Sequence, residues 1–326
     1  MQTRYSLEEI KTPVRQALGD FDRHFRKSMS SQVALLDRIT YYIARTKGKQ
    51  FRPLIALLCA RQFGPVNEKS HVAATLVELL HTATLVHDDV VDESFQRRGF
   101  FSIKALWKNK IAVLVGDYLL SRGLLTALNQ KHFDLLEILS TAVSEMSEGE
   151  LLQLEKARRL DITEAVYYQI IRQKTASLIR SACVCGARST TSDEVELGRM
   201  HEFGESIGMA FQIKDDLMDL SNDFTGKPKI ADIKEKKMTL PLIAALQNAP
   251  LPEKNRIIGL IRNQNEREKS IQSVIQFIHD YKGIEQAQEK MNEYRDKALA
   301  MLDLFPKNEA NEALRKLCYF VTERQK

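Results

Sequence analysis

Two short runs in this 326-residue chain carry the same spacing of acidic side chains. The first is Asp88-Asp89-Val90-Val91-Asp92 and the second Asp215-Asp216-Leu217-Met218-Asp219. Helix positions three and four apart are neighbours, so each triplet is expected to gather three carboxylates on one face. Like charges so placed cost an isolated helix roughly 0.2–0.5 kcal/mol per pair, and nothing cationic lies on the same turn of the first triplet. A multivalent cation offsets that cost. Carboxylate oxygens suit Mg²⁺, which completes its octahedron with waters and substrate phosphates instead of an all-protein cage. A lone triplet is more often a solvated acidic stripe. Here two share one spacing and apolar flanks, and basic residues follow each: Arg97 and Arg98 after the first, Lys227 and Lys237 after the second. Two such clusters facing each other can hold several Mg²⁺ ions and one diphosphate.

The elements that must position these residues are helical. Glycine and proline number only 14 and 8, too few for a turn-rich β architecture. Apolar residues recur at three- and four-residue spacing, as in Val33, Leu36, Ile39 and Ile43, with no sustained two-residue alternation and no hairpin signal. A sheet is not expected. Breaks fall at Phe63-Gly64-Pro65, between positions 221 and 237, at Asn248-Ala249-Pro250 and at Phe305-Pro306, and none resembles a linker. The expectation is one all-α domain over residues 1–326, a large helical bundle of ten or more helices with a central cavity.

Composition narrows the function classes. With 44% hydrophobic and 28% charged residues the chain can bury a core and is not a disordered polyelectrolyte. The formal charge of +5 reads as a solvated surface, so no nucleic-acid partner is expected. Four cysteines, Cys59, Cys183, Cys185 and Cys318, form neither a disulfide framework nor a metal knuckle and fit a reducing compartment. Residues 1–18 lack an apolar signal core, and no run approaches eighteen uninterrupted apolar residues, so a cytoplasmic protein without a membrane span is expected.

An ordered set of motifs then resembles the all-trans isoprenyl (polyprenyl) diphosphate synthases. It comprises GKQFRP at Gly48 to Pro53, HTATLVHDDVVDESFQRRG at His81 to Gly99, GDYLLSR at Gly116 to Arg122, GELLQ around Glu150, KTASL at Lys174 to Leu178, FQIKDDLMD at Phe211 to Asp219, and DIKEKKMTLP at Asp232 to Pro241. The resemblance implies an isoprenoid-synthase-like fold, a homodimer, three Mg²⁺ per active site, and condensation of isopentenyl diphosphate with an allylic prenyl diphosphate. It makes Asp88, Asp92 and Asp215 direct metal ligands, with Asp89, Asp216 and Asp219 as direct or water-mediated partners. Arg97 and Lys174 would grip the allylic diphosphate, with Lys227 and Lys237 closing over it. Lys49, Arg52, His81 and Arg98 would hold isopentenyl diphosphate. Thr175 and Gln212 would aim oxygen dipoles at the allylic cation. Arginine offers phosphate a planar fork and lysine a mobile point charge, which agrees with these roles. His87 is read as a buttress to Asp88 through a hydrogen bond.

The sequence departs from the family pattern where Ile230 and Lys236 stand in place of glycines, which puts the lid geometry in question. Product length turns on Ala83 and Thr84, just before the first cluster. Ala83 lies five residues from Asp88, about 7.5 Å along a helix. In the family a bulky aromatic here blocks the growing tail, so these small residues imply a long-chain product, beyond farnesyl and geranylgeranyl, with Leu80 and residues 119–128 deepening the floor. Peripheral membrane contact on product release follows from such a tail. The alternatives are a shorter-chain synthase, a noncatalytic subunit of a heteromeric synthase, and a terpene cyclase. The retained second triplet and the GKQFRP and Arg97-Arg98 motifs speak against the last two.

Overall fold

The computed structural model describes residues 5–324 apart from positions 47, 49, 98, 221–236 and 263–267. Helices dominate it. They run Leu7–Lys11, Arg15–Met29, Ala34–Arg45, Phe51–Phe63, Glu68–Val91, Ile103–Asn129, Phe133–Arg159, Glu164–Ile171, Ser177–Arg188, Glu194–Asp219, Leu240–Asn248, Leu251–Arg262, Glu268–Asp280, Gly283–Asp303 and Glu309–Glu323, with a π turn at Arg172–Ala176. The all-α expectation holds, with one correction: Gln96–Arg97 pairs antiparallel with Phe100–Phe101. Gly99 turns that ribbon at φ +81°, a conformation that favours glycine. A two-residue strand leaves no alternation to read, so the pattern could not announce it.

The breaks in the sequence mark helix ends. Phe51–Phe63 stops before Gly64, Leu240–Asn248 stops before Ala249-Pro250, and Gly283–Asp303 stops before Phe305-Pro306. Local chemistry sets the starts of the two aspartate-bearing helices. Asn67 caps Glu68–Val91, its side chain accepting from the Ser70 N–H at 3.0 Å. Asp193 caps Glu194–Asp219, accepting from the Val195 N–H at 2.9 Å. Such caps satisfy amides that the first helical turn leaves without partners.

Buried apolar side chains form two clusters. One gathers Leu54, Leu57, Leu58, Leu76, Leu79, Leu119, Ile179 and Phe203. The other gathers Tyr167, Ile170, Met209, Ile213, Leu242, Ile243 and Phe277. Glycines let the helices between them approach closely. A Cβ at Gly208 would meet the Ala176 Cα at 2.7 Å, and one at Gly149 would meet the Gln173 Cβ at 2.8 Å and the Lys174 N at 2.9 Å. These contacts bring Phe133–Arg159 and Glu194–Asp219 against the turn that carries Lys174 and Thr175.

Ile103–Asn129 is long and apolar enough to cross a membrane by length and composition, with a third of its most apolar window buried. Lys104, Lys108, Lys110, Asp117 and Arg122 break any uninterrupted apolar run along it. Leu106, Val113, Leu114, Leu124, Leu125 and Leu128 are exposed along it, and Phe133, Leu151 and Leu154 on the next helix are exposed too.

Candidate active site

Both aspartate clusters lie at the C-terminal ends of their helices. Val91 ends the first helix, with Asp92 as its cap, and Asp219 ends the second. The carbonyl end of a helix carries about half a negative charge. Carboxylates there oppose the macrodipole, and neither helix has a basic residue in its last turn. The electrostatic cost inferred from spacing is therefore larger than side-chain repulsion alone, and it suits a bound cation.

The middle carboxylate of each cluster departs from the one-face expectation. Asp89 lies about 100° around the helix from Asp88, and in the fold it is buried while Asp92 stays exposed. Asp89 is 4% exposed and lines a cleft with Tyr42, Thr82, Val86 and Phe100. Arg97 donates to it from Nε at 2.8 Å, so the small ribbon supplies the cation missing from the helix. Asp216 is 5% exposed and accepts from Tyr167 Oη at 2.7 Å and from Gln212 Nε2 at 2.9 Å. Both middle acids are thus held by protein donors, as burial of a charged group requires.

Asp88 remains half-buried and has a different balance. Burial pushes its carboxyl up to about 6; Lys174 opposes that rise, Glu150 and Asp92 add to it, and Arg97 opposes it. Lys174 is itself ion-paired with Glu150 and donates to Gln153 Oε1 at 3.4 Å. It also lines a cleft with Gln153, Thr175, Gln212, Asp216 and Lys237. Lys174 thus acts on Asp88 of the first cluster and shares a cleft with Asp216 of the second. Thr175 donates to Gln212 Oε1 at 2.8 Å, so one chain of hydrogen bonds runs from Thr175 through Gln212 to Asp216.

Arg52 and His81, both expected around the second diphosphate, meet at 2.8 Å between Nη1 and Nε2. Lys49, Arg98, Lys227, Ile230 and Lys236 lie outside the described residues. Ala83 is buried, and Thr84 donates to the His81 carbonyl at 2.9 Å. His87 does not buttress Asp88 as expected. Its Nε2 lies 3.2 Å from the Val113 carbonyl and 3.4 Å from Asp117, in space that Gly116 leaves open.

Asp92 is exposed, and Asp219 is half-buried at the last position of its helix. Asp215 is paired with Arg324, Nη2 to Oδ1 at 2.7 Å. Arg324 and Tyr167 had no signal in the sequence, whereas Glu150 stood in the GELLQ run without a role. Among the described residues no three metal-ligating side chains form a ready-made cage.

With this geometry in hand, the comparisons with known proteins agree among themselves. The Polyprenyl synthetase family profile matches residues 33–278. Octaprenyl diphosphate synthase of Escherichia coli (strain K12) is 35% identical over 324 residues, covering 98% of this chain and 100% of that one. The crystal structure of a decaprenyl diphosphate synthase from Rhodobacter capsulatus superposes with a TM-score of 0.92 at 32% identity, covering 98% and 99% of the two chains. A polyprenyl synthase from Caulobacter crescentus CB15, complexed with calcium and isoprenyl diphosphate, gives a TM-score of 0.90 at 32% identity over 100% of both chains.

Proposed function

The chain belongs to the polyprenyl synthetase family, and on that premise we propose that its two aspartate clusters hold Mg²⁺ around the diphosphate of an allylic substrate. The enzyme is a trans-prenyltransferase that condenses isopentenyl diphosphate with an allylic diphosphate and makes a long-chain polyprenyl diphosphate. Enzymes of this family use a divalent metal. In this reading Asp88, Asp92 and Asp215 are its direct ligands, with three ions per site, and Asp89, Asp216 and Asp219 complete the two acidic walls. The reading is supported by the position of both clusters at helix C-termini, with Lys174 acting on Asp88 of one and lining a cleft with Asp216 of the other.

The bound metal supplies Lewis-acid stabilisation of the charge that builds on the departing diphosphate. The chain's own residues do the rest. Lys174 and Arg97, with Lys227 and Lys237, grip that diphosphate, while Arg52, His81, Lys49 and Arg98 hold isopentenyl diphosphate. The allylic C–O bond breaks, the double bond of isopentenyl diphosphate attacks the resulting cation, and the released diphosphate takes the proton. Thr175 gives its hydroxyl hydrogen to Gln212, which leaves its oxygen lone pairs to face the cation.

A long tail needs a passage, and in this reading it runs past the small side chains of Ala83 and Thr84 beside the first cluster. The exposed apolar residues of Ile103–Asn129 and Phe133–Arg159 form a face that we assign to a second copy of the chain, because soluble proteins rarely leave so large an apolar patch open. A cytoplasmic homodimer, touching membrane only as it releases product, completes the reading. The test is incubation of purified protein with Mg²⁺, farnesyl diphosphate and isopentenyl diphosphate. Longer prenyl products with released diphosphate support it; hydrocarbon alone, or no turnover, rejects it.

A further inference from the structure

Arg324 reaches the second cluster from the far end of the chain. It follows the helix Glu309–Glu323 and caps it, its backbone N–H donating to the Phe320 carbonyl. Its Nη2 donates to Asp215 Oδ1 at 2.7 Å and to the main-chain carbonyl of Phe211 at 3.3 Å. The guanidinium carbon lies 3.9 Å from the centroid of the Phe211 ring, well inside the reach of a cation–π contact. Phe211 packs in turn on Phe51 at 5.4 Å, the neighbour of Arg52. The side chain is only 13% exposed. Burial lowers the guanidinium pKa from its usual value, and Asp215 opposes that shift.

Two of these three anchors do not involve Asp215. A surface arginine would simply compete with an arriving cation for the carboxylate. This one is fixed by the Phe211 ring and carbonyl, so it stays in place whether or not a cation is present. An outer partner that holds one carboxylate oxygen while a metal takes up the other orients the ligand, and loss of such partners weakens metal affinity by about 10–100-fold.

We propose that Arg324 is a positioning residue for Asp215, tying the metal affinity of the second cluster to the docking of the C-terminal helix. The proposal rests on the reading of Asp215 as a metal ligand. The role differs from substrate binding because the guanidinium acts through the carboxylate, so its signature lies in the metal dependence.

The experiment titrates full-length protein with Mn²⁺ in the presence of inorganic pyrophosphate, followed by electron paramagnetic resonance, and measures the Mg²⁺ needed for half-maximal turnover. R324A and R324Q should bind Mn²⁺ about tenfold more weakly and need about tenfold more Mg²⁺. R324K, lacking the planar fork, should recover only part of this, and KM for isopentenyl diphosphate at saturating Mg²⁺ should stay within about twofold in all three. F211L keeps the charge but loses the stack; it should fall between wild type and R324A, and it carries the test if R324A does not fold. Unchanged or tighter Mn²⁺ binding in R324Q and F211L overturns the proposal. D215N separates the two ideas: wild-type Mn²⁺ binding there removes Asp215 from the ligand set, whatever Arg324 does.

Discussion

The ammonium of Lys174 is paired with the Glu150 carboxylate across the seam between the helix Phe133–Arg159 and the π turn Arg172–Ala176. The pair places a cation beside Asp88 and a competing anion beside that cation. A diphosphate drawn to Lys174 must displace Glu150 or share with it. Glu150→Gln removes the competitor while keeping a similar side-chain volume. Inorganic pyrophosphate with Mg²⁺ should then bind about three- to tenfold more tightly, roughly the 1 kcal/mol expected of one partly exposed ion pair. Calorimetric titration reads this directly, and weaker binding would show that Glu150 helps to hold the anion.

Gly149 makes that seam possible. An alanine there would place its Cβ within 2.9 Å of the Lys174 backbone nitrogen and 2.8 Å of the Gln173 Cβ. Neither backbone can yield cheaply, and overpacking of this kind costs about 1–3 kcal/mol. Gly149→Ala should lower the melting temperature by several degrees and raise KM for the allylic substrate more than it lowers kcat. A variant with wild-type stability and kinetics would mean that the seam is looser than its geometry.

Asp88 gives the site a pH signature. Its folded pKa stands above the unfolded value, so the folded state holds this proton more tightly. The associated stability is present at low pH and is lost as pH rises through about 6. In metal-free protein, Asp88→Asn should therefore be more stable than wild type at pH 7, by about 1 kcal/mol after allowance for solvent screening, with the difference vanishing near pH 4. Added Mg²⁺ should erase the advantage, because wild type alone gains the ligand. Thermal denaturation across pH, with and without Mg²⁺, tests both halves. Equal stability at every pH would remove the burial argument.

The proposed control of chain length falls on Ala83, which is buried in the same core cluster as Leu79, Leu80 and Val86. Ala83→Phe should shorten the product by two or more isoprene units as read by chromatography, with a stability loss of about 1–3 kcal/mol from overpacking. A folded variant giving the wild-type length distribution would place the stop elsewhere.

Much of this is legible in the sequence alone. The helix period and the punctuating prolines specify local conformations, and local conformations are what a sequence states most directly. The aspartate clusters were legible because identical spacing repeats. What was hidden depends on contacts between distant segments. Asp89 and Asp216 look equivalent to their neighbours in sequence, yet in the fold each is buried against a donor from another segment, Arg97 or Tyr167. His87 looked like a partner for Asp88, but the gap at Gly116 takes its ring instead. Arg324 lies 109 residues from the carboxylate it holds, in a stretch with no motif at all. The Gln96–Arg97 ribbon, too short for any periodicity, positions a site arginine nonetheless.

The central claim is that the two clusters share one anion through divalent metal. A crystal structure with Mn²⁺ and inorganic pyrophosphate, with the ions located by anomalous scattering, tests it most directly. The account predicts Mn²⁺ bound by Asp88 and Asp92 on one side and by Asp215 on the other, all contacting the same pyrophosphate, with Lys174 swung from Glu150 onto its oxygens. Pyrophosphate and Mn²⁺ held by one cluster alone, with the other still closed on its protein partners, would contradict it.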